Sequence, residues 1–175
     1  MTSYEDLVAL WGEDWIVHLP IDRLGDEVTC GPEPLPPYGA LPIEVPLLFT
    51  TLLDGEIDLF SVLDISAGDR QAARLVTLGA VPADHDLLFC LDGASGRVLL
   101  LQLSKPGLEV VNSSMRAFVE FLYRVARFVR DEKGGEQHET RARELQRELA
   151  EMDPDAFADA ETWWSMAFDL RLARL

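Results

Sequence analysis

Two apolar runs joined by a short loop restrict the fold of this chain more than any other feature. Residues 87–91 and 98–103 are almost entirely apolar, and the intervening residues 92–96 include two glycines. This is the pattern of a β-hairpin. Because so few positions in either run are polar, neither face of the hairpin can be left in water. We therefore expect a sheet that is covered by helices on one side and by loops on the other.

Further strand candidates flank this hairpin, with turn residues between them and no long helix intervening. They are residues 47–53, 57–63, 75–78 and 108–111. Strands that follow one another in this way favour an antiparallel or mixed sheet over a doubly wound parallel sheet.

Helical spacing of apolar residues begins in the C-terminal third of the chain. Apolar side chains from Met115 to Val129 recur on one stripe, which predicts an amphipathic helix. Ser113 or Ser114 is the expected N-cap of this helix, and residues 133–135 are expected to end it.

Two more helices are predicted towards the C-terminus. The first is polar and exposed over residues 140–151, and Asp153 is expected to cap the turn after it. The last begins near residue 159 and carries Trp163 and Trp164. Adjacent helical residues point about 100° apart, so we expect one of these tryptophans in the core and the other partly exposed.

The N-terminal part begins with a short amphipathic helix, from a capping-box-like Ser3 to Gly12, and residues 15–19 then have the composition of a strand. Six prolines lie within residues 30–46. Proline fixes its own φ and lacks an N–H donor, so these residues exclude a helix and any central strand. We expect an ordered, extended loop there.

Together these patterns predict an α+β fold, with a mainly antiparallel or mixed sheet flanked by helices and with C-terminal helices after the sheet. Hydrophobic residues make up 48% of the chain, enough to bury a core without disulfides or metals. We expect a single domain over residues 1–175. It comprises a variable N-terminal part over 1–46, the sheet over 47–111 and the helices over 113–175.

Acidic residues dominate the charge of the chain. The net charge is −16, and residues 1–100 hold 17 Asp and Glu against 4 Lys and Arg. Such a chain does not bind nucleic acid or an anionic membrane through its overall charge. The excess of negative charge either keeps the protein soluble or attracts a basic protein partner.

The two cysteines, Cys30 and Cys90, support neither a disulfide framework nor a metal site. We expect both thiols to be reduced and buried. The sequence carries no signal peptide and no apolar stretch that could span a bilayer, which predicts a soluble, cytoplasmic protein.

Catalytic motifs are not evident, so we expect no catalytic, cofactor-binding or metal-binding residues. His18, His85 and His138 are scattered rather than spaced for zinc. The triplet Asp84, His85 and Asp86 is the best alternative for an enzyme, since a carboxylate can tune an imidazole base. It would have to converge in a pocket, whereas neighbours in a polar turn usually point apart.

Several short motifs occur in a characteristic order over about 100 residues. They are Leu75-Val76-Thr77-Leu78-Gly79; Leu91-Asp92 with Gly96 and Val98 in the hairpin; Asn112-Ser113-Ser114 at the helix entry; and Met152-Asp153-Pro154 followed by Trp163-Trp164. In this order the chain resembles the fourth subfamily of the SUKH immunity proteins. The proline-rich residues 31–46 depart from the pattern of that family.

This resemblance implies an α+β fold and a role as the antidote to a polymorphic toxin, often a nuclease or a nucleic-acid deaminase. An acidic inhibitor that occludes a basic active-site cleft suits such a toxin. The partner is therefore expected to be a cognate protein toxin with a basic surface. The alternative is an intracellular adaptor that binds a partner without inhibiting it.

For the partner-binding surface we predict acidic side chains around the strand connections. They are Asp54, Glu56, Asp58, Asp84 and Asp86. The motif residues themselves are interpreted as determinants of the fold. We expect the C-terminal part to maintain the structure and the acidic N-terminal part to select the partner.

Overall fold

The computed structural model describes residues 1–67, 70–105, 107–131 and 137–172. Its helices are α1 (Tyr4–Trp11), α2 (Ile21–Leu24), α3 (Met115–Asp131), α4 (His138–Met152) and α5 (Trp163–Ala167), and a π-helical turn follows at Phe168–Leu172. Its strands are β1 (Ile16–His18), β2 (Ala40–Pro42), β3 (Glu44–Val45), β4 (Phe49–Thr50), β5 (Val62–Ala67), β6 (Arg70–Val81), β7 (Asp84–Asp92), β8 (Val98–Gln102) and β9 (Gly107–Asn112).

The main sheet has seven strands within the described residues, and its order is β3-β4-β6-β7-β8-β9. Strand β6 is long enough to pair with β5 and, further along, with β4 through Thr50 and Ala80. All of these pairs are antiparallel. The α+β prediction is therefore confirmed, with helices after the sheet.

The hairpin that dominates the sequence is the β7–β8 pair, in which Leu91 lies opposite Val98. One face of this hairpin packs under α3, where Phe89 and Phe118 have ring centroids 5.2 Å apart. Side chains from the β4–β5 connection pack with the other face, with Leu53 among them. A helix covers one side and a loop covers the other, as predicted.

Helix α3 begins where the sequence predicts. The side chain of Ser114 accepts a hydrogen bond from the backbone N–H of Ala117 at 3.0 Å, so Ser114 is the N-cap. Met115 and Phe118 belong to the buried stripe. The predicted end at residues 133–135 lies outside the described residues.

Two of the predicted strands are wrong in their limits. Of residues 47–53, only Phe49–Thr50 form a strand, which is β4. Of residues 57–63, only the last two belong to a strand, and they begin β5. The cause is backbone conformation: Leu47 has φ 68° and Phe60 has φ 62°, values that interrupt an extended strand. Strand β6 also starts earlier than residues 75–78 suggest, because its first residues are polar or small and carry little strand signal.

The expectation for the two tryptophans is wrong, since Trp163 and Trp164 are both buried. Helix α5 contacts both the sheet and α3, since Trp163 packs on Phe89 and Trp164 packs on Phe121. Both sides of the short helix are thereby covered. Helix α4 is likewise less exposed than predicted, because its Leu149 is fully buried.

A buried polar cluster joins the C-terminal elements, and we call it the polar junction. It consists of Asn112, Asp153 and Trp164, all of which are buried. The side chain of Asn112 donates to Asp153 at 2.9 Å and accepts from Nε1 of Trp164 at 2.9 Å. Asp153 also accepts from the backbone N–H of Ser113. Asp153 is the N-cap residue of the turn at Pro154–Phe157, as predicted, but its side chain makes no cap bond there. The side chain binds the end of β9 instead.

The N-terminal residues form a second layer beside the main sheet. The capping box at Ser3 is present, and β1 pairs with β2. Residues 30–46 are not simply a loop, because they contain β2 and β3. Strand β3 lies at the edge of the sheet, where the neighbouring Pro46 has no ladder partner to disrupt.

The two thiols differ in exposure. Cys90 is buried, and burial raises its pKa to about 12, so this thiol is chemically inert at neutral pH. Cys30 is only partly buried, which corrects the expectation that both are core residues.

In the described part of the chain, no helix is both long and apolar enough to cross a bilayer. In the same residues, His, Cys, Asp and Glu side chains do not group in threes suited to a metal ion.

Candidate partner-binding surfaces

The predicted carboxylates lie on the β4–β5 connection and at the start of β7, and we call them the sheet-end acids. Asp54, Glu56 and Asp58 lie on the exposed connection between β4 and β5, and Asp84 and Asp86 begin β7. His85 joins the two groups, since its Nδ1 lies 3.2 Å from the backbone N and 3.3 Å from the carboxylate of Asp54.

Asp86 is engaged within the protein. Its carboxylate accepts hydrogen bonds from the hydroxyl and the backbone N–H of Ser104, at 2.6 and 2.8 Å, and a longer one from Gln102. The hydroxyl bond from Ser104 is the main cause of a lowered pKa for Asp86. This carboxylate therefore holds the turn between β8 and β9.

The triplet considered for catalysis does not converge. His85 contacts Asp54, Asp86 contacts Ser104, and the carboxylate of Asp84 accepts the backbone N–H of Asp86. The three side chains thus have separate partners and do not form an acid–base pair.

Replacing Ser104 by alanine is expected to raise the pKa of Asp86 towards its ordinary value, because the ionised carboxylate loses the hydroxyl donor that favours it most. NMR titration of the carboxyl carbon measures this directly. Asp6 serves as an internal control, since hydrogen bonds from Ser3 lower its pKa and should be unaffected. An unchanged midpoint for Asp86 would show that Ser104 does not set its protonation.

A second surface lies near the opposite end of β7 and was not predicted. It is an open cavity of about 490 Å³, which we call the proline pocket. Its described lining is Ile21, Val28, Gly31, Pro32, Leu35, Pro36, Tyr38 and Gly39. These residues come from α2 and from the proline-rich segment after it.

Hydrogen bonds from other elements hold the wall of the proline pocket. The carbonyl of Gly93, in the β7–β8 turn, accepts the backbone N–H groups of Thr29 and Cys30 at 2.8 and 2.9 Å. From α3, the guanidinium of Arg116 donates to the carbonyls of Pro32 and Glu33. The wall is thus fixed to both the sheet and a helix.

Tyr38 is the most exposed large apolar residue of this lining, with 77% of its surface accessible. Its φ is 56°, in the left-handed region that an aromatic residue rarely adopts. The backbone carbonyl of Tyr38 lies 3.1 Å from Nδ1 of His18, and its ring meets the ring of Tyr4 edge-on at 5.1 Å. These contacts hold a large apolar side chain in solvent.

Acidic side chains are exposed on the segment that lines the proline pocket. Asp22, Asp26 and Glu33 are exposed on the segment that forms it, which also carries the exposed Arg23. The carboxylate of Glu27 is paired with Arg74. The pocket lining is therefore mostly apolar, and the segment that carries it has more exposed acidic than basic residues.

The sequence contains one signal for this surface, a tyrosine between Pro37 and Gly39. Proline and glycine mark a turn, and an aromatic residue inside a turn has little chance of burial. The rest of the proline pocket depends on contacts between residues 27–34 and the distant β7–β8 turn.

Comparison with known proteins identifies a family over nearly the whole chain. The model of the SUKH-4 immunity protein family matches residues 3–170. The match includes the proline-rich segment, so the resemblance extends well beyond the C-terminal motifs. No curated protein and no solved structure matches the chain. Because the family model covers far more than half of the sequence, this chain belongs to the SUKH-4 immunity protein family.

Proposed function

We propose that this protein binds a cognate protein toxin with a basic surface, a nuclease or a nucleic-acid deaminase, and neutralises it by occluding its active site. Membership of the SUKH-4 immunity protein family carries the proposal. The charge supports its second part, because enzymes that act on nucleic acids present cations to the phosphate backbone. A strongly negative inhibitor is attracted to the same cations.

The sheet-end acids are proposed to attract this partner. Four of them, Asp54, Glu56, Asp58 and Asp84, are exposed, whereas Asp86 is partly buried. Charges arranged on one side of an inhibitor speed diffusional encounter and have a smaller effect on the lifetime of the complex. Their effect should therefore appear in the association rate.

Changing Asp54, Glu56, Asp58 and Asp84 together to lysine should slow association with the toxin by about tenfold or more at low ionic strength. The dissociation rate should change little, and the association rate should depend less on salt. Stopped-flow mixing with the toxin domain encoded beside this gene, over a series of salt concentrations, gives both rates.

A control variant with the same change in net charge tests whether the association rate depends on where the charges lie or only on their sum. Glu144, Glu151, Asp155 and Glu161 are exposed in the C-terminal part, and their reversal should slow association less. Equal slowing by both variants would mean that the sheet-end acids have no special part. Absence of any complex with the wild-type protein would refute the proposed function, and a complex without inhibition would favour an adaptor.

A further inference from the structure

We propose that the proline pocket is the position at which the toxin docks, and that it receives an apolar side chain flanked by lysine or arginine on the toxin. This inference rests on the proposed function and adds to it the place and the chemistry of the contact. The exposed ring of Tyr38 and the apolar cavity beside it carry the argument.

The size and the lining of the proline pocket suit a protruding side chain. Its volume of about 490 Å³ falls in the range of cavities that bury a ligand or a short peptide segment. Leu35 and Pro36 are buried at its base, whereas Ile21 and Tyr38 are exposed. Partly exposed aromatic and aliphatic groups around a concavity are typical of the residues that dominate binding energy.

The proline pocket is held in shape before any partner arrives. Its wall is bonded to the carbonyl of Gly93 and to the guanidinium of Arg116. Pro32 and Pro36 restrict the backbone further. Because little ordering remains to be done on binding, contacts made here contribute more fully to affinity.

The charge around the proline pocket selects a basic occupant. Asp22, Asp26 and Glu33 are exposed on the segment that forms it. Two cations are nearby: Arg23 is exposed on the same segment, and the guanidinium of Arg116 donates to two of its backbone carbonyls. The three carboxylates outnumber them. An apolar side chain with basic neighbours meets a complementary surface here, whereas an acidic segment is repelled.

The proline pocket and three of the sheet-end acids, Asp54, Asp84 and Asp86, lie towards opposite ends of β7. This strand has nine residues, so its ends are separated by roughly 25 Å. That distance exceeds the Debye length at physiological ionic strength, about 8 Å. The two surfaces should therefore be separable in kinetics: the sheet-end acids act on the encounter, and the proline pocket acts on the lifetime of the complex.

Tyr38→Asn tests the anchor without disturbing the backbone, because asparagine tolerates the left-handed conformation better than tyrosine does. We expect dissociation from the toxin domain encoded beside this gene to become about 30-fold faster, as for a residue that dominates an interface. The association rate should stay within about twofold of that of the wild-type protein.

Leu47→Asn is a matched control. Leu47 is also a left-handed, exposed, apolar residue, and it lies in the β3–β4 turn, outside the described lining of the proline pocket. Its replacement should leave both rates unchanged. Thermal unfolding of the two variants excludes loss of structure as the cause of a difference.

A peptide probe tests the proline pocket independently of any toxin. A pentapeptide with leucine between pairs of lysines should cause saturable NMR shifts at the amides of Gly31 and Gly39, and these shifts should disappear in Tyr38→Asn. The same peptide with glutamates in place of lysines should cause none. Absence of shifts, or shifts spread over all acidic surfaces, would overturn the inference.

The outcomes separate the two proposals. If the wild-type protein does not bind the toxin, the proposed function is refuted. The peptide experiment then still tests whether the proline pocket binds an apolar side chain between basic residues. If it binds the toxin and Tyr38→Asn dissociates no faster than Leu47→Asn, the docking position is wrong and the proposed function stands.

Discussion

Replacing Asn112 by alanine is expected to lower the free energy of unfolding by about 3–5 kcal/mol, because two buried groups lose a hydrogen-bond partner at once. Nε1 of Trp164 would be left without its acceptor, and the carboxyl of Asp153 without its side-chain donor. Both groups are buried, so they are out of reach of bulk water that could replace the missing amide. Urea unfolding followed by tryptophan fluorescence measures the change.

Two further variants identify the cause of this loss. Asn112→Asp keeps the shape of the side chain but places a second carboxylate against Asp153, so it should also destabilise strongly. Ser113→Ala changes the adjacent, exposed residue and retains the backbone N–H that binds Asp153, so it should be nearly neutral. If both Asn112 variants unfolded within about 1 kcal/mol of the wild-type protein, the polar junction would not hold the C-terminal elements.

Gly93→Ala is expected to destabilise the protein by about 3 kcal/mol or more. A Cβ at this position would lie 1.7 Å from the carbonyl oxygen of Glu27, and a backbone atom cannot turn aside as a long side chain can. The segment would have to move away, and the hydrogen bonds from Thr29 and Cys30 to the carbonyl of Gly93 would break. Urea unfolding gives the loss, and limited proteolysis between residues 27 and 34 reports whether the segment has been displaced.

Gly107→Ala is the control for this experiment. The nearest atom to a Cβ there is 3.6 Å away, an ordinary van der Waals distance, so the substitution should cost little. Equal stability of the two alanine variants would show that the close approach at Gly93 is relieved without cost. The same pair also bears on binding, because displacement of the segment would dismantle the wall of the proline pocket.

Local patterns predicted the elements whose structure depends on their own residues. The β7–β8 hairpin and α3 follow from apolar runs and helical spacing, and Ser114 follows from capping chemistry. The predictions were wrong where contacts with residues distant in sequence determine the burial of a side chain. Trp163 and Trp164 are both buried because two different elements, the sheet and α3, meet on either side of α5.

The candidate surfaces divide in the same way. The sheet-end acids are a prediction from the charge and the positions of the strand connections, and the sequence did not show that Asp86 accepts a hydrogen bond from Ser104. The proline pocket could not be foreseen, because its wall is set by Gly93 and Arg116, which lie far along the chain. Even the prolines, which correctly excluded an α-helix but not the short 3-10 turn at Pro37–Gly39, did not indicate which side chain would remain exposed.

The left-handed backbone of Tyr38 has a consequence for engineering this protein. A residue other than glycine in that conformation costs about 1–2 kcal/mol, and glycine or asparagine would remove much of the cost. Selection for thermal stability alone would therefore tend to replace the tyrosine. The selected variants would be more stable but would bind their target poorly. Such a conflict between stability and activity is common where a strained residue serves function, and here selection would have to score survival against the toxin as well as melting.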